Sequence, residues 1–192
     1  MKPIAKGNHV YLRTISNEDF SFVYSIFTDF DEIYLWNNNR QDYDFTTFIA
    51  DFKNKLKDIY RYFYIIGDKI TSRKIGFIYC YNVHNGDGYA YTTTYLISEY
   101  RNLFYAAEAG LLYYTHLFRY HNYRKLYSEV YSYNKESIQF LSYAGFQLEG
   151  VLKQHRYYSK KYADLNIYAV YRDDFLERFE ILLKHFSNGD VL

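Results

Sequence analysis

At 192 residues, with 49% apolar and 23% charged side chains, the chain can bury a core and is too apolar for disorder. Lys plus Arg number 23 and Asp plus Glu 22, so no global charge draws it to nucleic acid or to an anionic membrane. The lone Cys80 excludes an internal disulfide, Met1 to Asn17 holds no secretory leader, and no apolar run reaches spanning length, which together point to a cytoplasmic chain.

His9 to Ile15 alternates as a half-buried strand does. Ser16 then stands as an N-cap with Asp19 in the capping-box position, and Phe20, Val23, Tyr24 and Phe27 give the next helix one apolar face. Trp36 to Arg40 is a polar break. Phe45, Phe48, Ile49, Phe52, Leu56 and Ile59 recur at helical spacing, predicting an amphipathic helix over Asp42–Asp58. Three strands follow at Arg61–Ile66, Lys74–Asn82 and Tyr89–Ile97. Gly67-Asp68 and Asn85-Gly86-Asp87-Gly88 read as the turns between them, so an antiparallel meander is the simplest connection.

A helix from Asn102 to about His116 begins with the small residues Ala106, Ala107, Ala109 and Gly110. Lys125–Tyr133 is a strand, and Asn134–Ala144 a short helix closed by Gly145 as its C′ residue. Phe146–Tyr157 and Tyr162–Arg172 are the last strands. Asp173 caps a final helix with Phe175, Phe179, Leu182, Leu183 and Phe186 inward. No Pro-, Gly- or Ser-rich linker and no internal repeat interrupts the order. The expectation is one α/β domain over residues 1–192, built on a single mixed, mostly antiparallel sheet of about seven strands flanked by helices.

Two strand-to-helix junctions carry the functional signal: Arg101 to Ala106, and Asn134-Lys135-Glu136-Ser137. A crossover helix makes the strands before them natural parallel neighbours, so both junctions fall at the C-terminal strand ends where ligands sit in such sheets. A strand that turns straight into a helix offers unpaired N–H groups and about half a positive charge, which suits phosphate. Phe104 stands where a phosphate-cradling turn prefers glycine, and its β-carbon can crowd the ligand unless the side chain points aside.

The segments YLISEYRNLFYAAEA, KLYSEVYSYNKESIQFLSYAGFQLEG and VLKQHRYYSKKYADLNIYAVYRDDF resemble the GCN5-related N-acetyltransferase (GNAT) superfamily, with the resemblance running from Val10 to Phe175. Within it they look most like the branch acting on ribosomal-protein N-termini, with relatives that modify small amines. The resemblance implies an enzyme moving acetyl from acetyl-coenzyme A to a primary amine by direct attack in a ternary complex. It implies that the fourth and fifth strands splay and that backbone at Leu96 and Ile97 bonds the pantetheine arm. Pyrophosphate would rest on Arg101, Asn102, Leu103, Phe104, Tyr105 and Ala106, with Asn134 and Ser137 near the coenzyme. Trp36, in the loop that in this family helps wall the acceptor pocket, is the substrate-side candidate. Dimers are common in the family, so a homodimer is compatible. The competing expectation is a non-catalytic binding or regulatory module of the same fold, with a degenerate turn at Phe104.

An amine with a pKa near 10 must lose a proton before it attacks a thioester. Glu129, a charge inside the strand Tyr127–Tyr133, reads either as a base or as an outward carboxylate on a half-wet strand, and no catalytic residue is assigned. Where many family members carry a tyrosine that protonates the leaving thiolate, this chain has Leu141, as the ribosomal-protein branch often does. Tyr143 lies about 200° further round that helix. The six histidines show no metal-ligand spacing, so no metal is expected, and His116 and His121 read as solvated. Cys80 reads as a strand residue rather than a nucleophile. The 27 Tyr and 16 Phe are spread over every segment, as compositional bias rather than a stacking platform for nucleic acid.

Overall fold

The computed structural model describes residues 2–36, 44–101 and 103–187. Asn37 to Asn39, Asp42 and Asn102 lie outside the described residues, as do the side chains of Leu103, Leu182, Leu183 and Phe186.

Alternation of buried and half-buried side chains sets the first long strand. Val10 and Leu12 are fully buried between Tyr11 and Arg13, and this strand, β2 (Val10–Thr14), pairs antiparallel with β1 (Ala5–Lys6) and with β3 (Arg61–Asp68). Among the described residues β1 makes eight strands where about seven were expected; at two residues it is too short to leave a pattern in sequence.

Ser16 and Asp19 do form the start of α1 (Phe20–Phe27), through a single 3-10 turn over Asn17–Asp19. The Asp19 carboxylate accepts the Ser16 N–H at 2.8 Å and both Arg13 guanidinium nitrogens at 2.7 Å, with Lys74 at 3.1 Å. It therefore ties β2, α1 and β4 (Lys74–His84) together from a fully buried position. Asp44 caps α2 (Phe45–Asp58) by accepting the N–H groups of Thr46 and Thr47. Phe20, Val23, Phe48 and Phe52 of these two helices cover one sheet face, built from Phe63, Ile65, Phe77, Tyr79 and Tyr95.

β3, β4 and β5 (Tyr89–Leu96) form the expected antiparallel meander. Gly67-Asp68 is not the first turn, however. The Tyr11 ring occupies the space a side chain at position 67 would need, so Gly67 remains in the strand. The chain reverses after Asp68, whose carboxylate accepts the N–H groups of Ile70 and Thr71.

α3 (Leu103–Tyr120) runs a turn beyond His116 and covers the other face with α4 (Lys135–Tyr143) and α5 (Arg172–Ser187). Leu112, Tyr113, Leu117, Phe140 and Phe175 pack there against Leu12, Ile66, Ile78 and Leu126. α5 begins one residue before Asp173, which sits in its first turn beside Asp174 rather than capping it. His116 is not solvated: its Nε2 lies 3.2 Å from the Tyr64 hydroxyl and its Nδ1 is buried. Packing of α3 onto β3 withdraws it from water.

β6 (Lys125–Tyr131), β7 (Gln147–Tyr158) and β8 (Lys161–Tyr171) complete a sheet of order β1-β2-β3-β4-β5-β6-β8-β7. Gly145, at φ +83°, releases the chain from α4 into β7 in the left-handed conformation expected of a C′ residue. Among the described residues no helix is long and apolar enough to cross a membrane.

Candidate active-site cleft

β5 and β6 are the parallel pair of the described sheet, and they stay paired for only three residues: Tyr89 with Lys125, Ala90 with Leu126, Tyr91 with Tyr127. Past that register they part, while β5 keeps its β4 partner as far as Leu96. The Thr92 hydroxyl donates to the Tyr127 carbonyl at 3.0 Å and closes the vertex of the fork. This is the splay expected of the fourth and fifth strands, carried here by β5 and β6 because β1 precedes them.

The backbone of β5 divides by parity. Ile97 donates its N–H to the Ile75 carbonyl at 2.9 Å, on the β4 side. In an antiparallel strand the alternate residues face the opposite way, so Thr94 and Leu96 turn their backbone groups into the fork. The Leu96 carbonyl accepts from Arg101 Nε at 3.1 Å and Nη2 at 3.0 Å. What remains facing the gap is the Leu96 N–H and both backbone groups of Thr94.

A cavity of about 330 Å³ fills the fork and is lined from both faces of the sheet. Thr92, Thr94, Leu96 and Ser128 border it on the α3–α4 side, with Ala106, Tyr114, Asn134, Ser137 and Leu141. Thr93, Tyr95 and Glu129 border it on the α1–α2 side, with Leu35 and Trp36. Asn134 holds this corner together. Its Oδ1 accepts the Ser137 N–H at 3.2 Å as the cap of α4, and its Nδ2 donates to the Leu35 carbonyl at 3.3 Å. The Tyr133 hydroxyl and Arg156 both donate to the Tyr34 carbonyl, pinning the segment that carries Trp36.

The side chain of Arg101 is a staple. Besides the Leu96 carbonyl it holds Glu32, with Nη2 2.7 Å from Oε2, and its guanidinium lies 5.3 Å from the centre of the Tyr95 ring. The Tyr95 hydroxyl donates to the same carboxylate. Burial would raise the Glu32 carboxyl, but Arg101 and Tyr95 outweigh it and hold the group below the usual carboxylate range.

Phe104 sits elsewhere. Its ring meets His9 edge-on at 4.4 Å and borders a separate hollow of about 260 Å³ with Ala107, Glu108, Tyr143 and Phe175. Two residues of helix separate it from Ala106 by about 200°, so Ala106 lines the fork and the Phe104 ring points away from it. The Tyr105 hydroxyl donates to Asp68 at 3.3 Å. Trp36 packs on Phe27, Phe77 and Tyr95 and also lines the cavity, and among the described residues its buried indole N–H has no hydrogen-bond partner. Glu129 accepts from the Tyr81 hydroxyl at 2.9 Å. Leu141 is buried against the cavity, whereas Tyr143 lies on the far side of α4.

Of the residues singled out in sequence, the fold thus gathers Trp36, Leu96, Arg101, Ala106, Asn134 and Ser137 around the cavity, and sets Phe104 apart. Thr92 and Thr94 were missed, although a threonine run inside an aromatic strand was a usable signal. Glu32 and Tyr81 had none, since only the fold brings them near Arg101 and Glu129.

Residues 9–147 match the family described as Acetyltransferase (GNAT) domain. The chain belongs to the GNAT acetyltransferase family. Solved structures share its fold at low identity. Spermidine N-acetyltransferase from Vibrio cholerae, in complex with CoA and spermine, superimposes with a TM-score of 0.79 at 16% identity, covering 87% of this chain and 98% of that one. A GNAT-family acetyltransferase from Bacillus anthracis gives 0.72 at 15% identity, with 88% and 98% covered. Ribosomal-protein-S5-alanine acetyltransferase from Vibrio fischeri gives 0.72 at 18% identity, with 88% and 97% covered. No curated protein matches the sequence.

Proposed function

We propose that this GNAT chain, acting as one domain over residues 1–192, transfers an acetyl group from acetyl-coenzyme A to a primary amine by direct attack within a ternary complex. The observation that carries the reading is the fork. Pairing between β5 and β6 stops after Tyr91 and Tyr127, and the cavity beyond is lined from both faces of the sheet, so two substrates can meet in it from opposite sides. Direct attack is favoured over an acyl-enzyme on cysteine: the sole thiol, Cys80, is buried on β4, and burial pushes it up to about 12. A buried free thiol also suits a reducing, cytoplasmic setting.

The residues present fit the coenzyme. The backbone of Thr94 and the N–H of Leu96 face the gap and would serve a pantetheine arm, the Leu96 carbonyl being held by Arg101. We assign the pyrophosphate to the N–H groups that begin the long helix α3, near Tyr105 and Ala106, with Arg101, Asn102 and Leu103 the other candidates from the sequence. Asn134 and Ser137 border the same space, and Ile97 supports the strand end through its bond to β4. When bound, acetyl-coenzyme A supplies an acetyl group already activated as a thioester. The turned-away Phe104 ring removes the main support for a non-catalytic module. On the opposite side Trp36 walls the acceptor's entry. A small amine, as in the Vibrio cholerae protein, or a protein N-terminus, as in the Vibrio fischeri one, fits the proposal. It invokes neither nucleic acid nor membrane, and a homodimer is compatible with it.

Thermal or chemical denaturation with and without acetyl-coenzyme A tests the reading. Ligand at a hundred times its dissociation constant is expected to add about 2.7 kcal/mol of stability. No shift at millimolar coenzyme would overturn the proposal.

A further inference from the structure

Building on the acetyl-transfer reading above, we propose that Arg101 is a positioning residue that couples the two sides of the fork. Once its hold on the Leu96 carbonyl is given up to the coenzyme, the segment that carries Trp36 is released with it. The guanidinium reaches three groups at once. Nε and Nη2 donate to the Leu96 carbonyl at 3.1 and 3.0 Å, Nη1 and Nη2 donate to Glu32 at 3.3 and 2.7 Å, and its central carbon lies 5.3 Å from the centre of the Tyr95 ring. A carbonyl oxygen has two lone pairs, and Arg101 engages both at Leu96. An arm laid along the open edge of β5 has amide N–H groups to place, and the carbonyls turned to the fork are those of Thr94 and Leu96. The Leu96 oxygen cannot take such an N–H and keep both Arg101 donors, so the guanidinium must shift.

The contacts of Glu32 carry that shift to the acceptor side. Glu32 directly precedes the single 3-10 turn Ile33–Leu35, and its carbonyl accepts the Leu35 N–H at 3.0 Å, so its side chain and the backbone leading into Trp36 move together. Trp36 packs on Tyr95, the ring beneath the guanidinium, and the Tyr95 hydroxyl donates to Glu32. Arg101, Glu32, Tyr95 and Trp36 are therefore one contiguous set, with the coenzyme strand at one end and the acceptor wall at the other. The other holds on the segment come from beyond β6: Asn134 on the Leu35 carbonyl, and Tyr133 and Arg156 on that of Tyr34. Release at Glu32 lets the segment tilt about those three bonds. Donor binding thus reshapes the acceptor wall, and by linkage acceptor binding alters donor affinity by the same factor.

Trp36 is the sole tryptophan of the chain, so its emission reports this wall directly. Acrylamide quenching of Trp36 is compared in the parent, Arg101→Met and Glu32→Gln, each with and without saturating acetyl-coenzyme A, and affinity for the coenzyme is measured by calorimetry. In the parent, acetyl-coenzyme A is expected to raise the quenching constant about twofold. In R101M and E32Q the unliganded protein should already show the raised value, and the coenzyme should change it no further. R101M, with the Leu96 carbonyl uncapped, should bind acetyl-coenzyme A about fivefold more tightly, and E32Q within about threefold of the parent. If R101M does not fold, the Trp36 response of E32Q decides alone. An equal response in parent and variants, which direct contact between coenzyme and indole would give, overturns the coupling. So does a parent that binds the coenzyme with no Trp36 response, or an R101M that binds it more weakly. A parent that fails to bind acetyl-coenzyme A at all overturns instead the acetyl-transfer reading on which the coupling rests.

Discussion

A single side chain, Phe104, separates the two functional expectations, and its effect depends on which way a helical residue points. At the start of α3 any L-residue can adopt the helical backbone, so the missing glycine costs little in conformation. The ring turns toward His9 and stays half exposed, at 53%. Truncating it should therefore leave the fork unchanged. Phe104→Ala is expected to alter acetyl-coenzyme A affinity by less than about threefold and stability by under about 1 kcal/mol, measured by calorimetry and by denaturant titration. A large gain in affinity would mean that the ring obstructs the phosphates after all. Such a position cannot be read from a motif, because a motif records which residue stands in the turn and not the azimuth at which its side chain leaves the helix.

At the scale of elements, the cleft depends on a staple between distant segments. Arg101, at the exit of β5, bonds both the Leu96 carbonyl and Glu32 in the segment before Trp36. Both charged groups are about three-quarters buried, so the pair is sheltered from solvent screening. Arg101→Met is expected to cost about 2 kcal/mol, because a charge-assisted hydrogen-bonded group is lost and Glu32 is left partly unpaired. Adding Glu32→Gln to that variant should cost little more, and the shortfall from additivity in a double-mutant cycle measures the coupling. Strict additivity would show that the two side chains do not depend on each other. This element also shows where sequence reading stops. Periodicity and turn chemistry located the meander, the crossover helix and both junctions, since those signals are local. β1 was lost for want of length, and Gly67 was misread because its reason, the Tyr11 ring, lies on another strand. The fork itself was legible only through resemblance: strands diverge where backbone pairing ends, and no side-chain pattern marks that point. Glu32 and Tyr81 reach the site solely through long-range packing.

For the whole molecule, buried titratable groups on both sheet faces make stability depend on pH in two stages. On the α1–α2 face, burial would raise the Asp19 carboxyl, but Arg13, the Ser16 N–H and Lys74 outweigh it and hold the group far below its ordinary value. A depressed carboxylate contributes stability above its unfolded pKa of about 4, and that stability is lost as the pH falls toward the lowered folded value. On the opposite face His116 is pushed from 6.5 to about 4, by burial first and then by neighbouring His121. The groups facing it are Tyr64, Tyr120 and His121, and none offers a counter-charge to the imidazolium. Here too the unfolded chain binds the proton first, so the contribution is complete above 6.5 and erodes as the pH falls toward 4. The two losses have the same sign but separate windows. Denaturant titrations across the acid range should show stability falling first between pH 6.5 and 4 through His116, then more steeply below as Asp19 protonates. His116→Gln should flatten the upper stage and leave the lower one. Asp19→Asn should cost about 3 kcal/mol near neutrality by leaving Arg13 without its partner, and weaken the lower stage, to which the depressed Glu32 also contributes. An upper stage that survives in H116Q would assign it to another group, with His121, itself lowered by burial, the first to replace.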